Sequence, residues 1–259
     1  MGCLLIAAFT AFGCSLGSGE GQVHSDALYA KDCIYPSQGP ACEYQTANGQ
    51  VAYDEGCDNY DLLPDFFAAV PSEDTIQMRI QRGTDLTELS DGLAVLVTDV
   101  NAIRDAIKAK RDEAIKNGAT EDEALETYVE VPVAIPYGVQ PPGAPDPSPP
   151  PCDATTQLCT VNPVAIALYL QKSCHNQNTV LYAVGGFIRF SSLFSGDPVE
   201  SSAAEKLNHA PYFEVIIGDP RNAPPGVPIG PDSIPPEFSS KLTGNFRFYF
   251  ERGKPAQPF

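Results

Sequence analysis

The sequence has little positive charge and few of the short motifs that mark an enzyme. Lys and Arg total 16 against 33 Asp and Glu, which gives the 259-residue chain a net charge of −17 at neutral pH. Nucleic acids and anionic lipid surfaces bind clustered positive charge, so neither is expected as a partner of the folded part. The sequence contains no G-x-S-x-G, H-E-x-x-H, P-loop or dinucleotide motif. We therefore predict no cofactor and assign no catalytic residue.

Long hydrophobic runs are also scarce, and the most apolar one lies at the start of the chain. Residues 4–14, LLIAAFTAFGC, form an apolar run that ends at a Gly-Cys pair. This run is well short of the ~20 residues that a membrane-spanning helix needs, and it has the length of the apolar core of a secretory signal peptide. The alternative is that residues 3–12 form a buried strand or a short core helix of a cytosolic protein.

The end of this run carries a family resemblance. Ala11-Phe12-Gly13-Cys14 resembles the lipobox of bacterial lipoproteins, in which a small residue precedes the cysteine that is diacylated. The resemblance implies that residues 1–13 are a signal peptide and that lipid on Cys14 attaches the protein to a membrane. Ser15 stands where an inner-membrane retention signal would place Asp, so we expect an outer-membrane lipoprotein that faces the periplasm or the cell surface.

The cysteine count agrees with export. If Cys3 leaves with the signal peptide and Cys14 carries lipid, six of the eight cysteines remain, an even number suited to three disulfides in an oxidising compartment. No C-x-x-C pair is present to favour a metal site in a cytosolic protein. The predicted disulfide cysteines are Cys33, Cys42, Cys57, Cys152, Cys159 and Cys174.

Composition divides the chain into four parts. Residues 1–13 are the signal peptide, and residues 14–31 are small, polar and without periodicity, which predicts a flexible tether. Residues 32–71 hold three cysteines and several turn residues, and they predict a disulfide-stapled cap. Residues 72–259 form a β-rich domain, interrupted by a proline-rich loop at 139–151.

Alternating apolar residues predict most of the strands. Clear examples are Ile76, Met78 and Ile80, and later Phe246, Phe248 and Phe250. Residues 93–97 are apolar on both faces, which predicts an interior strand. Pro132 places its strand at a sheet edge, Gly185-Gly186 predicts a bulge, and residues 164–170 fit a strand or a helix.

One substantial helix is predicted between these strands. Thr98 or Asp99 can cap it and Asn117-Gly118 can end it, while a capping box, Thr120-x-x-Glu123, predicts a short helical turn after it. The predicted apolar stripe consists of Val100, Ile103, Ile107, Ala114 and Ile115. Strands with turns between them and one amphipathic helix predict a mainly β fold, an antiparallel β-sandwich or barrel-like domain. The layout from Thr75 to Phe259 also resembles predicted bacterial lipoproteins of no assigned activity.

Three classes of function fit these features. The first is a non-enzymatic cell-surface module that binds a protein or glycan, or serves a structural role. The second is a hydrolase of wall or polysaccharide that uses two carboxylates. The third is a calcium-dependent adhesion module built on the acidic first half, although the run 54–61 does not fit an EF-hand loop and predicts a solvated acidic loop rather than a metal site.

Few side chains are candidates for chemistry at neutral pH. They are His24, His175 and His209, together with the neighbouring Cys174, which we expect in a disulfide rather than as a nucleophile. Tyr169, Tyr182 and Tyr249 could stack on sugars, but tyrosines are ordinary on the outer face of a strand.

Overall fold

Strands dominate the part of the chain that the computed structural model describes. This part comprises residues 16–29, 42–45, 51–54, 57–83, 90–135, 164–173, 179–194, 206–227, 229–230 and 233–250. The strands are β1 (Leu16–Tyr29), β2 (Cys42–Gln45), β3 (Val51–Asp54), β4 (Cys57–Leu62), β5 (Phe66–Ser72), β6 (Thr75–Gln81), β7 (Asp91–Thr98), β8 (Val129–Pro132), β9 (Val164–Leu170), β10 (Thr179–Phe190), β11 (Leu207–Gly218) and β12 (Ser239–Tyr249). The α-helices are α1 (Val100–Lys116) and α2 (Glu121–Leu125), and short 3-10 helices span Pro220–Asn222 and Pro236–Phe238.

Ten of these strands form one antiparallel sheet. Their order is β11-β12-β1-β5-β6-β7-β9-β10-β8, with β4 beside β1, while β2 and β3 form a separate hairpin. Because β10 also pairs with β11, the strand order returns on itself and the sheet is curled rather than flat. The prediction of a mainly β, antiparallel fold with one long helix is confirmed, and the curled sheet corresponds to the barrel-like form.

Two sequence signals mark where the sheet forks and bends. β10 pairs first with β9 and then, further along the same edge, with β8. Pro132 ends β8, which is the last strand of the sheet order, so its predicted edge position is confirmed. The register of β10 against β11 shifts between Ala183 and Gly185, and Gly186 has a φ of 120°, so the predicted bulge is also present.

The inner face of the curled sheet is filled with side chains. Alternate residues of β6, β7, β9, β10, β11 and β12 enter one continuous core, as period-two patterning requires. Residues 164–170 are therefore a strand and not a helix. The largest core side chains are the phenylalanines Phe67, Phe190, Phe194, Phe213, Phe246 and Phe248, each with 1% or less of its surface exposed.

Helix α1 contributes Val100, Ile103 and Ile107 to the same core. The predicted stripe is wrong at Ile115, which is 49% exposed, because the last turn of the helix faces a surface groove instead of the sheet. The predicted N-cap position, Asp99, is confirmed, but its side chain does not serve as the cap. The Asp99 side chain makes no capping hydrogen bond, and the Asn101 N–H donates to Asp74 Oδ1 at 2.8 Å, so the turn between β5 and β6 caps the helix. The capping box of α2 is present as predicted.

The predicted flexible tether over residues 14–31 is wrong for residues 16–29, which form β1 in the middle of the sheet. β1 pairs with β12 along residues 18–24. The glycines of β1 explain why its sequence predicts a flexible tether. A Cβ on Gly19 would overlap the Cβ of Phe248, and one on Gly21 would lie 2.9 Å from the Asn245 carbonyl oxygen. Glycine is needed here for close strand approach, and it is not a sign of flexibility.

The predicted boundary between a cap and a β domain at residues 71 and 72 falls inside β5, which pairs with β6 along its whole length. β4 likewise joins the main sheet through β1. The described part of the cysteine-rich segment is therefore continuous with the sheet, apart from the β2–β3 hairpin. The predicted signal peptide at 1–13 and the predicted proline-rich loop at 139–151 lie outside the described residues.

Candidate functional site

The cysteine predictions stay untested. Cys42 and Cys57 lie in β2 and β4, but their side chains are not described. The lipidation site and the other predicted disulfide cysteines lie outside the described residues; these are Cys14, Cys33, Cys152, Cys159 and Cys174.

His24, the first candidate base, is held between two carboxylates. Its Nε2 lies 2.9 Å from Asp26 Oδ1 and its Nδ1 lies 2.8 Å from Asp61 Oδ1. The hydrogen bond to Asp26, and then that to Asp61, raises the pKa of His24 above its ordinary value. Both ring nitrogens are engaged by carboxylates, so His24 acts as a link between β1 and β4.

His209, the second candidate base, forms a Ser-His pair that sequence spacing does not reveal. Its Nδ1 lies 2.7 Å from Ser191 Oγ, across 18 residues of sequence. Burial lowers the pKa of His209, and the nearby Arg247 lowers it further. Such a pair suits nucleophilic catalysis only when substrate can reach the hydroxyl. Ser191 is 1% exposed, so the pair is structural; His175, the third candidate, lies outside the described residues.

A groove of about 440 Å³ runs beside helix α1, close to this pair. Its size falls within the roughly 300 to 1,000 Å³ that is common for small-molecule sites. One wall is the outer side of α1 and the other is the segment that follows β10. The groove is lined by Asn101, Arg104, Asp105, Ile107, Lys108, Arg111, Asp112, Ile115, Ser192 and Leu193.

The wall after β10 is fixed to β11 by hydrogen bonds. The His209 N–H donates to the Ser192 carbonyl at 2.9 Å, and the Ser191 N–H donates to the His209 carbonyl at 3.0 Å. The Phe194 N–H donates to Oδ1 of the fully buried Asn208 at 3.2 Å. Leu193 is thereby held against the core with 3% of its surface exposed. This wall of the groove is formed in advance of any ligand.

Arg111 crosses from the helix to this wall. Its Nη2 donates to the Ser191 carbonyl oxygen, while its buried Nε has no hydrogen-bond partner. No carboxylate of the described residues forms an ion pair with it. Burial lowers the pKa of Arg111, yet a guanidinium stays charged at neutral pH. The groove therefore contains a half-buried positive charge that the described protein does not neutralise.

The other groove charges differ from Arg111. Lys108 Nζ lies 2.7 Å from Asp112 Oδ2, an exposed pair between successive turns of α1. Exposed pairs of this type contribute little to stability. Their charges are already matched and hydrated, so Arg111 remains the distinctive polar group.

A second surface, around Arg189 on the outer face of β10, is a weaker candidate. Its guanidinium carbon lies 4.8 Å from the ring centre of Tyr128 and 5.0 Å from that of Phe187, and Nε lies 3.0 Å from Glu130 Oε2. Beside it, Tyr212 donates to Glu214 at 2.7 Å. These rings and charges satisfy one another, which is typical of cross-strand packing on an exposed sheet face.

The described residues provide no metal-binding cluster and no membrane-spanning helix. Among them, no three His, Cys, Asp or Glu side chains are grouped so as to hold a metal ion. Asp61, the end of the acidic run 54–61, is engaged with His24 instead. Neither described helix combines the length and apolar content that crossing a membrane requires.

Comparison of the chain with protein-family models, with curated proteins and with solved structures finds no match.

Proposed function

We propose that the protein is an exported, lipid-anchored module of the bacterial outer membrane that binds a ligand without catalysing a reaction. The lipobox-like sequence at Ala11–Cys14 supports the address. The curled sheet supports the binding role, because its inner face is occupied by packed side chains and leaves ligand contacts to the outer surface. The α1 groove, whose size suits a small molecule, is the site proposed for the ligand.

The observation that carries the binding role is the state of Arg111 in the groove. A half-buried charge without a counter-charge costs stability in the free protein. Such a cost is common where a ligand supplies the missing partner, as functional sites are often the places where local rules are broken. The groove is also largely preformed, which lowers the entropic cost of binding.

The groove favours binding over carboxylate-dependent hydrolysis. Asp105 and Asp112 are the acids that line it. A general acid needs a carboxyl group that is shielded from water, as when burial keeps it protonated. The Asp112 side chain is 62% exposed and paired with Lys108. It is therefore a solvated partner of Lys108 and not a protected acid.

The address is tested with Cys14→Ser. If Cys14 is diacylated, the wild type partitions into a detergent phase, and the variant stays in the aqueous phase or stalls with its signal peptide attached. This lipoprotein modification typically carries three acyl chains, which is more than the two lipid signals needed to anchor a protein stably in a membrane. Recovery of the wild type as an unmodified soluble protein that begins at Met1 would contradict the anchor.

The location of binding is tested with an introduced fluorophore, since the chain has no tryptophan. The Ile115→Trp variant places a single indole in the groove at a position that is 49% exposed. The matched control is Leu125→Trp, at a position that is 50% exposed on α2 outside the groove. A ligand in the groove changes the emission of the first variant and leaves that of the second unchanged. Equal responses from both would show that the ligand does not bind at the groove.

A further inference from the structure

We infer that the ligand of the α1 groove is a small organic anion with an apolar body, bound with its carboxylate or phosphate at Arg111 and its body against Ile107, Ile115 and Leu193. This inference rests on the proposed binding function and specifies its ligand class. It follows from the charge, the geometry and the apolar lining of the groove.

Arg111 differs from other arginines of the chain in its ion pairing. The chain has a net charge of −17, so carboxylates are plentiful, yet none of the described residues supplies one to the half-buried Arg111. Arg189 is paired with Glu130 and Arg221 with Asp219, but Arg111 is paired with a backbone carbonyl only. Arg104, Lys108 and Arg111 lie three or four residues apart and share one face of α1. An anion entering the groove meets this face.

The guanidinium of Arg111 is held in one orientation. Nη2 is fixed on the Ser191 carbonyl oxygen, and Ser191 is itself held by His209 on β11. A fixed guanidinium loses little entropy when it binds, and its planar donors match the oxygens of a carboxylate or phosphate. A ligand oxygen bound by a guanidinium N–H that is not bonded to Ser191 supplies the counter-charge that the described protein leaves out.

The apolar side chains of the groove favour a ligand that has an apolar part as well as a charged group. Ile107 and Leu193 form the floor with 4% and 3% of their surfaces exposed, and Ile115 stands 49% exposed at the side. Covering an exposed isoleucine beside buried apolar atoms removes apolar surface from water, which favours binding. An inorganic ion would leave this surface in water, whereas an alkyl or aryl body covers it.

The test measures affinities by isothermal titration calorimetry with four probes of equal chain length: decanoate, decyl phosphate, decanol and decylamine, each below its micellar concentration. The full chain is used in the Cys14→Ser background, because an absent lipid removes the need for detergent. We expect decanoate and decyl phosphate to bind at least tenfold more tightly than decanol and decylamine. Decyl phosphate bound alone would narrow the head group to phosphate.

The variants are Arg111→Met, which removes the charge, and Lys116→Met, which removes a positive charge from the exposed end of the same helix outside the groove lining. Arg111→Met should abolish the tenfold preference while decanol still binds, and Lys116→Met should keep the preference. Arg111→Lys retains the positive charge but lacks the planar guanidinium, so it should keep part of the preference for anions. Circular dichroism melting shows whether each variant is folded at the temperature of the titration.

Three outcomes overturn the inference in different ways. If decanol binds as tightly as decanoate, the groove binds ligands but does not select anions, and the proposed function stands alone. If decylamine binds most tightly, Asp105 and Asp112 direct the ligand and the assigned charge is wrong. If no probe binds and none changes the emission of the Ile115→Trp variant, the groove fails as a binding site, while the anchor is judged separately by Cys14→Ser.

Discussion

Gly19 of β1 lies directly opposite Phe248 of β12, and the aromatic side chain occupies the space that a side chain at position 19 would need. Phe248 is fully buried and stacks on Phe67 of β5, with 5.5 Å between the ring centres. One glycine therefore allows β12, β1 and β5 to converge on a shared aromatic core. A segment that reads as a flexible linker in the sequence is in fact a central strand.

The Gly19→Val substitution should destabilise the protein, because the new side chain overlaps Phe248 and the Arg247 carbonyl on the paired strand. Overpacking of this type typically costs about 1 to 3 kcal/mol. The control is Gly230→Ala, at a position where no atom lies within 4 Å of the added Cβ. Urea unfolding should show a loss for the first variant and little change for the second. Equal midpoints would mean that β1 does not approach β12 this closely.

Ile107→Asp should lower the free energy of unfolding by several kcal/mol, because it places an unpaired charge at a site that is 4% exposed. The matched variant is Ile115→Asp, two turns further along α1, where 49% of the side-chain surface is already in water. We expect the second change to stay within about 0.5 kcal/mol. Similar losses at both positions would contradict the description of α1 as buried at its start and open to the groove at its end.

The sequence predicted the elements that bury one face and missed contacts that need distant partners. Strands β6 and β12 were predictable because Met78 and Phe246 belong to strict alternations. The cap of α1 was not predictable, since Asp74 lies 27 residues before the amide it accepts from. The contact of Arg111 with Ser191 spans 80 residues and leaves no local pattern. The glycines of β1 led to the wrong prediction of a flexible tether, because composition alone does not distinguish close strand packing from flexibility.

The two described histidines should titrate in opposite directions from the ordinary value of 6.5. Hydrogen bonds to Asp26 and Asp61 raise the pKa of His24, so its contribution to stability is fully present below the unfolded pKa and is lost as pH rises through the folded pKa. Burial lowers the pKa of His209, so its contribution is present above the unfolded pKa and is lost as pH falls through the folded pKa.

Imidazole NMR titrations, assigned with His24→Gln and His209→Gln, measure the two pKa values. The unfolding free energy of the wild type minus that of His24→Gln should fall as pH rises above about 6.5, the unfolded value. A flat difference over that window, or a His24 pKa at or below 6.5, would show that the carboxylates do not hold the protonated ring.

The last prediction concerns the six cysteines that remain if Cys3 leaves with a signal peptide and Cys14 carries lipid. They fall into two groups of three: Cys33, Cys42 and Cys57 before α1, and Cys152, Cys159 and Cys174 after the 139–151 segment. Three is odd, so if all six are paired, at least one disulfide joins the groups. Cys152 with Cys159 and Cys33 with Cys42 are the short-range pairings we predict, which leaves Cys57 with Cys174. The shorter loops would each stabilise the fold by roughly 2 to 3 kcal/mol on the entropy model.

Proteolytic cleavage within residues 139–151 tests this pairing, and denaturant is essential to the test. The β7–β9 and β1–β12 ladders join the two sides of the cut, so the fragments stay together in native buffer whether or not a disulfide connects them. In denaturant without a reductant, a cross-group disulfide keeps the fragments on one band in gel electrophoresis, and reduction separates them. A Cys57→Ser variant should separate without reductant if Cys57 forms that bond. Fragments of the wild type that part in denaturant alone would mean that two cysteines are free or that Cys14 belongs to the disulfide count, which would also weaken the case for its lipidation.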